Sequence, residues 1–582
     1  MLKEAIFHRP KTNWSYSYDQ KTIHIRLRTK RNDVKQVTLF YGDKYNWSVI
    51  GTQNTPMKIF AQDELFDYWL VAIEPEFRRL KYGFKLQSKD ETLWFDEQGI
   101  HETEPSSYNL FFEFPFINPV DVFTIPAWVK DAVFYQIFPE RFANGDPSIN
   151  PDNVEEWGGE PTPYNFFGGD LQGVIDHLDY LEQLGINAIY FNPLFEAPTN
   201  HKYDTVDYMK VDPQFGTNEK LKQLVDACHA RGIRVVLDAV FNHSGKHWPP
   251  FVDVREKGES SPYAKWFHVR EFPLEVREGV PSYDTFSFEQ NMPKLNTEHP
   301  EVQDYLLDVA RYWIKEIGVD GWRLDVANEV DHAFWRKFRD VVKGVNPEAY
   351  ILGEIWHDSL PWLIGDQFDA VMNYPFTEAV LDYAVRNTRD GKQFSDLAGY
   401  LLAAYPQQAN EATFNLLGSH DTARLLTLSK GDKRRMKLAT VIQFTFNGTP
   451  CIYYGDEVGL SGDNDPGCRK CMEWDLKKQD VDLLAFFKQL IHLRRNHRAL
   501  RDGTYEVAHA SAGSPAFAYI READGERFAI VLNAGSRKAS VQVEATLNSA
   551  QPQIVFGDGE VTLNKKGLKV SLQPLGYSII RL

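Results

Sequence analysis

Between residues 126 and 502 the chain repeats one grammar: a short apolar run bounded by polar residues, then a longer stretch with apolar residues at helical spacing. The short runs fall at 132–138, 188–191, 233–238, 319–325, 350–354, 370–373, 413–417 and 451–454. Between them lie helical faces such as Leu171, Val174, Ile175, Leu178 and Leu181, then Leu221, Leu224, Val225 and Cys228, then Val302, Tyr305, Leu306, Val309 and Trp313. A further helix is expected near 332–345, and another carrying Leu483, Phe487, Leu490 and Leu493 ends the series. Strands that alternate with helices pair in parallel, because a parallel pair needs a long crossover. Eight such units imply a closed α/β architecture, the (β/α)8 TIM barrel.

The chain has 582 residues, too many for one core. Before the barrel, residues 1–125 change to a period of two, clearest in Thr22-Ile23-His24-Ile25-Arg26-Leu27-Arg28. Short alternating strands separated by turns imply an N-terminal β-sandwich. Trp14, Trp47 and Trp69 are expected in its core rather than on a sugar. Residues 503–582 return to short strands, at 517–520 and 528–532, and imply a C-terminal β-sandwich. Residues 244–300 form an insertion within the barrel.

The net charge of −17 argues against nucleic acid or an anionic membrane as partner. No run of about 18 apolar residues is present, so no membrane-spanning helix is expected. The first ten residues lack an apolar signal core, which implies a cytoplasmic protein. Four cysteines in a chain this long make no disulfide framework. Cys228 sits on a helical apolar face and is expected in the core. Cys468 and Cys471 form a single C-x-x-C without the second ligand pair of a zinc site.

Catalytic groups of such a barrel lie at the C-terminal ends of its strands. The fourth strand leaves through Val319-Asp320-Gly321-Trp322-Arg323-Leu324-Asp325-Val326. Residues two apart share a strand face, so Arg323 and Asp325 point the same way. A guanidinium beside a carboxylate favours its ionised form, as a glycosyl-accepting nucleophile requires. The third strand ends in Asp238-Ala239-Val240-Phe241-Asn242-His243, the fifth at Glu354, and the seventh in Ser419-His420-Asp421. Three carboxylates and two histidines therefore converge on one rim.

These blocks resemble the signature regions of the α-amylase superfamily of glycoside hydrolases. The resemblance implies Asp325 as nucleophile, Glu354 as general acid/base and Asp421 as the residue that grips the reacting sugar, with Arg323, His243 and His420 in the same subsite. Met292-Pro293-Lys294-Leu295-Asn296, Val326-Ala327-Asn328-Glu329, Gly353-Glu354-Ile355-Trp356-His357 and the N-terminal sandwich resemble the cyclomaltodextrinase, maltogenic amylase and neopullulanase group. By that resemblance Tyr203 stacks on the reacting sugar, Glu329 and Trp356 shape the acceptor side, and Asp465 and Arg469 bind the non-reducing end. The implied activity is retaining hydrolysis of α-1,4-glucosidic bonds in cyclodextrins, maltodextrins and pullulan, releasing mainly maltose, with some transglycosylation. An oligo-1,6-glucosidase fits the sandwich and the Met292 block less well, and a non-catalytic sugar-binding protein fits the complete carboxylate set less well. The resemblance also implies a homodimer in which each sandwich covers its partner's barrel.

Asn144-Gly145-Asp146-Pro147-Ser148-Ile149-Asn150 and Gly168-Gly169-Asp170 offer oxygen ligands of the kind Ca²⁺ takes. Asn144, Asp146, Asn150, Gly168 and Asp170 are the expected calcium ligands. Two positions depart from the group: Ile149 stands where a side-chain oxygen is usual, and Asn150 where an aspartate is usual.

Overall fold

The computed structural model describes residues 1–46, 53–105, 108–544 and 552–582. The barrel strands are β1 (Phe134–Ile137), β2 (Ala188–Phe191), β3 (Arg234–Ala239), β4 (Gly321–Leu324), β5 (Tyr350–Gly353), β6 (Ala370–Val371), β7 (Phe414–Leu416) and β8 (Thr449–Tyr453). Apart from Arg234 at the start of β3, every residue in them is buried. Burial on both faces explains why they read as continuous apolar runs rather than alternations. They pair in parallel in the order β6-β5-β4-β3-β2-β1-β8-β7. A parallel bridge from Met372 to Phe414 joins β6 to β7 and closes the ring.

Register sets the level of the functional residues. Asp238 lies opposite Arg323, and Leu324 opposite Gly353. Asp325 and Glu354, the next residue of each strand, therefore leave the barrel side by side.

Three of the long surrounding helices start on side-chain caps. Thr217 accepts from Lys220 N before Asn218–Ala230, Asp331 from Phe334 N before His332–Val345, and Asp480 from Leu483 N before Val481–Asn496. Each cap satisfies an amide that the helix cannot, typically contributing about 1 kcal/mol. Cys228 is fully buried in its helix, as expected. The face read as one helix from Leu171 is two, Leu171–Asp176 and Leu178–Leu184. His177 breaks it: its backbone is non-helical and its Nδ1 bonds Gly173 O at 2.7 Å.

In the N-terminal domain a four-stranded sheet containing Ile23–Lys30 and Phe66–Ile73 packs on a second sheet containing Gln36–Gly42 and Leu80–Gln87. Ile23, Ile25, Leu27, Leu39, Phe84 and Leu86 are fully buried in its core. Trp69 is buried with its indole N–H on Thr29 Oγ1 at 2.9 Å, and Trp14 packs edge-on to Phe7. Trp69 serves the core between the sheets, whereas Trp14 is half-buried outside that core, against the cluster shared with the barrel; Trp47 lies outside the described residues. The domain rests on the helices Gly391–Ala404 and Gln407–Ala412. There buried Arg26 donates to Ala403 O at 3.2 Å and Tyr405 O at 2.7 Å. The approach is close enough to require glycine, since a Cβ on Gly399 would meet Gln62 O at 1.9 Å.

The C-terminal domain stacks a five-stranded sheet on a three-stranded one. Buried Arg521 joins it to the barrel by donating to Thr445 O at 2.7 Å. The insertion carries the helix Pro249–Lys257 and returns beside the end of β3 through a bridge from His243 to Lys294 and the Leu295 amide on Asn242 O at 3.0 Å, while a bridge from Phe267 to Leu295 ties the insertion to itself. No helix among the described residues is long and apolar enough to cross a membrane.

Candidate active site

A cleft of about 550 Å³ opens at the C-terminal face of the barrel. Every catalytic or sugar-binding residue expected from the sequence lines it, except Arg323, which lies buried beneath. Arg323 organises the floor. One terminal nitrogen lies 2.8 Å from Asp325 Oδ1 and 3.0 Å from Asp238 Oδ2, and the other lies 2.8 Å from Glu354 Oε2. Asp325 and Glu354 are only 5% and 8% exposed, so these contacts are little screened.

The backbone after β4 is strained. Val326 has φ 46°, left-handed and costly for a β-branched residue. Its amide donates to Glu354 Oε2 at 3.0 Å. This turn lifts Asp325 off the strand and ties the two carboxylates together.

Arg323 favours the ionised form of Asp325, but it works against opposing influences. Burial pushes the Asp325 carboxyl well above the usual range; Arg323 opposes this, while the charges of Glu354 and Asp238 add to it. One guanidinium is thus shared among three carboxylates.

Asp238 went unassigned in the sequence reading, although it occupies a strand end. It accepts from Tyr190 Oη at 2.7 Å and from Tyr203 Oη at 3.0 Å on the same oxygen that faces Arg323. No local pattern marks it, because its partners come from β2, β4 and the loop after β2. Gln136 and Asn192 were missed for the same reason. Gln136 Nε2 donates to Asn192 Oδ1 at 3.0 Å and to His420 Nδ1 at 2.9 Å. His420 is held neutral, first by burial and then by Arg469 and Arg323. With Nδ1 accepting, its proton is assigned to Nε2, which donates to Tyr203 Oη at 2.7 Å. The Tyr203 ring lies nearly parallel to that of His420, 8° apart, and its hydroxyl, bonded to Asp238, His420 and Asn192, fixes its height in the cleft. The preceding residue, Lys202, anchors the loop: buried, with φ 64°, it pairs with Asp212 at 2.8 Å and donates to Ala197 O at 2.8 Å.

His243 donates from Nε2 to Tyr203 O at 3.2 Å, and its ring stacks on Phe286, a cleft residue of the insertion that the sequence reading also missed. Burial lowers His243 to about 3, so it is neutral. Asp421 opens to the cleft over 32% of its side chain. Desolvation and then the Glu354 charge push its carboxyl up to about 7, against Arg323 and Arg469. Arg469 pairs with Asp465 at 2.9 Å and reaches within 3.7 Å of Asp421. On the other side Trp356 is 50% exposed and Glu329 pairs with Lys294 at 3.4 Å.

The residues expected at calcium also come together, away from the cleft. Asn144 Nδ2 donates to Asn150 Oδ1 at 2.9 Å, and a Cβ on Gly168, whose φ is +80°, would strike both side chains. Asp170 accepts from Gly145, Asp146 and Gly173 amides, and Asp146 from Ser148 N. Much of the carboxylate capacity is therefore engaged by backbone. Asn144 Oδ1, however, is buried without a hydrogen-bond partner, as a metal ligand would be. Among the described residues no group of three or more His, Cys, Asp or Glu is set to hold a metal; this loop supplies two carboxylates and neutral oxygens.

Residues 136–481 match the α-amylase catalytic domain, residues 1–118 the α-amylase N-terminal Ig-like domain, and residues 505–579 the maltogenic amylase C-terminal domain. A cyclomaltodextrinase from Bacillus sp is 60% identical over 92% of this chain and 96% of its own. Neopullulanase 2 from Thermoactinomyces vulgaris is 44% identical over 99% of this chain and 98% of its own. The solved structure of a cyclomaltodextrinase superposes with a TM-score of 0.95 at 54% identity, covering 100% of both chains. The chain belongs to the α-amylase family, in the group of cyclomaltodextrinases, maltogenic amylases and neopullulanases.

Proposed function

We propose that this protein hydrolyses α-1,4-glucosidic bonds of cyclodextrins, maltodextrins and pullulan with retention, releasing mainly maltose and transferring some glycosyl groups to sugars. The observation that carries this reading is the Arg323 guanidinium, which holds Asp325 and Glu354 at 2.8 Å each on its two terminal nitrogens. Carboxylates held this near suit the roughly 5 Å spacing of a double displacement rather than the wider gap that accommodates a water. With sugar in the cleft, Asp325 attacks the anomeric carbon while Glu354 protonates the departing oxygen. Glu354 then takes a proton from water, or from a sugar hydroxyl, as that oxygen attacks the covalent intermediate. Tyr203 offers its ring to the reacting sugar, and Asp421 with neutral His420 and His243 grips its hydroxyls. Asp465 and Arg469 hold the non-reducing end; Glu329 and Trp356 shape the acceptor side.

Calcium is proposed as a structural ion held by Asn144, Asp146, Asn150, Gly168 and Asp170. Its support is the buried, unpartnered Asn144 Oδ1. A homodimer is proposed because none of the described residues of the N-terminal domain lines the cleft of its own chain, which leaves that domain free to cover a partner's. Four free, buried cysteines suit a reducing compartment, and the cytoplasm is the proposed location. Parallel rates of reducing-sugar release from β-cyclodextrin, pullulan and starch test the activity. Cyclodextrin is expected to be cleaved fastest; no release from any of the three would overturn the proposal.

A further inference from the structure

Cys468 and Cys471 of the Cys468-Arg469-Lys470-Cys471 segment are free thiols, and among the described residues they stand in no group of three or more His, Cys, Asp or Glu. Cys468 is fully buried, and burial first of all pushes its thiol up to about 12, so the sulfur keeps its proton. Its Sγ lies 3.1 Å from His420 O, near enough for the S–H to donate. Arg469 Nε donates to the same carbonyl at 2.9 Å. That carbonyl belongs to the peptide joining His420 to Asp421, the two residues proposed to grip the reacting sugar.

The thiol can hold a position because its own backbone is held. Cys468 O accepts from Arg424 Nε at 2.9 Å and from Tyr453 Oη at 3.3 Å. Arg424 is itself fixed to Tyr454 O at 2.7 Å and to Asp456 at 2.9 Å. Glycine permits the loop to close on itself, since a Cβ on Gly462 would meet Gly467 O at 2.2 Å. A chain of contacts thus runs from the end of β8, through Arg424 and Cys468, to the His420 carbonyl.

We infer that Cys468 is a positioning residue: its S–H, with Arg469 Nε, clamps the His420–Asp421 peptide and so fixes where the Asp421 carboxylate meets the sugar. This rests on the proposed glycosidase reading. A misplaced Asp421 costs transition-state contact more than ground-state binding, so the loss belongs in kcat. Cys468→Ser keeps a donor, whereas Cys468→Val and Cys468→Ala fill or empty the space without one. With maltotriose as substrate, Ser is expected within about twofold of wild type and Val and Ala about tenfold lower in kcat, at nearly unchanged KM. In the infrared spectrum of the full chain, a red-shifted S–H stretch is expected that disappears in Cys468→Ser, a readout that does not require the Val or Ala variants to fold. Wild-type kcat in Cys468→Val, or absence of that shifted band, would overturn the clamp. A wild-type chain that cleaves no α-glucan would instead overturn the activity, while the infrared band still decides the hydrogen bond.

Discussion

The indole N–H of Trp356 donates to Glu354 Oε1 at 3.1 Å. Its ring lies flat on Tyr374, centroids 3.5 Å apart and planes 10° apart. One side chain therefore orients the proposed acid/base and offers a half-exposed face where an acceptor sugar would sit. Trp356→Phe keeps a face and loses the bond; kcat on β-cyclodextrin is expected to fall about tenfold. Trp356→Ala also loses the face, and its ratio of transfer to hydrolysis products, read by chromatography, is expected to drop. Wild-type kcat in the phenylalanine variant would remove Trp356 from this role.

Asp421 gives a pH signature in stability. Its folded carboxyl is raised to about 7. An unfolded aspartate titrates near 3.9. The folded state therefore holds the proton more tightly, and the resulting stability is complete below about pH 4 and lost as pH rises towards 7. Asp421→Asn is neutral throughout. Its melting temperature relative to wild type is expected to climb from pH 5 to 7 and level off above, while activity is nearly abolished. A gap that does not change with pH would contradict the raised carboxyl.

For the metal, differential scanning calorimetry with and without excess chelator is decisive. An ion that binds only the folded chain stabilises it by mass action. Chelation is expected to lower the melting temperature and leave kcat on maltotriose nearly unchanged, because the loop of Asn144 is not part of the cleft. Asn144→Ala should abolish the difference. Identical melting curves, with no calcium found by elemental analysis, would exclude the ion.

Sedimentation of the full chain is expected to show a homodimer at micromolar concentration. Removing residues 1–125 uncovers the face where Arg26 meets Ala403 and Tyr405, so the truncated chain should melt at a lower temperature as well as sediment as a monomer. Its rate on starch relative to cyclodextrin should rise, since a cleft no longer narrowed by a partner admits bulkier chains. A monomeric full-length protein that still prefers cyclodextrin would assign specificity to the insertion instead.

Barrel and rim were legible because both follow from local pattern. Buried parallel strands are continuous apolar runs, and Asp325, Glu354 and Asp421 stand just beyond three of them. Asp238 was not legible: Val235-Val236-Leu237-Asp238 reads as one more strand, and only the convergence of Tyr190, Tyr203 and Arg323 gives it a role. The sharing of Arg323 was hidden likewise. R-x-D spacing shows that Arg323 meets Asp325, but only the register of β3, β4 and β5 brings Asp238 and Glu354 to the same guanidinium. The split at His177 escaped because a side chain bonding its own helix backbone leaves hydrophobic periodicity intact.

The most direct measurement is proton NMR of the first maltose released from β-cyclodextrin, recorded before mutarotation mixes the anomers. Double displacement through Asp325 requires the new reducing end to appear as α-maltose, with the β-anomer growing in later. Initial β-maltose would mean a single displacement by water, and the assignment of Asp325 as nucleophile beside Glu354 would be wrong.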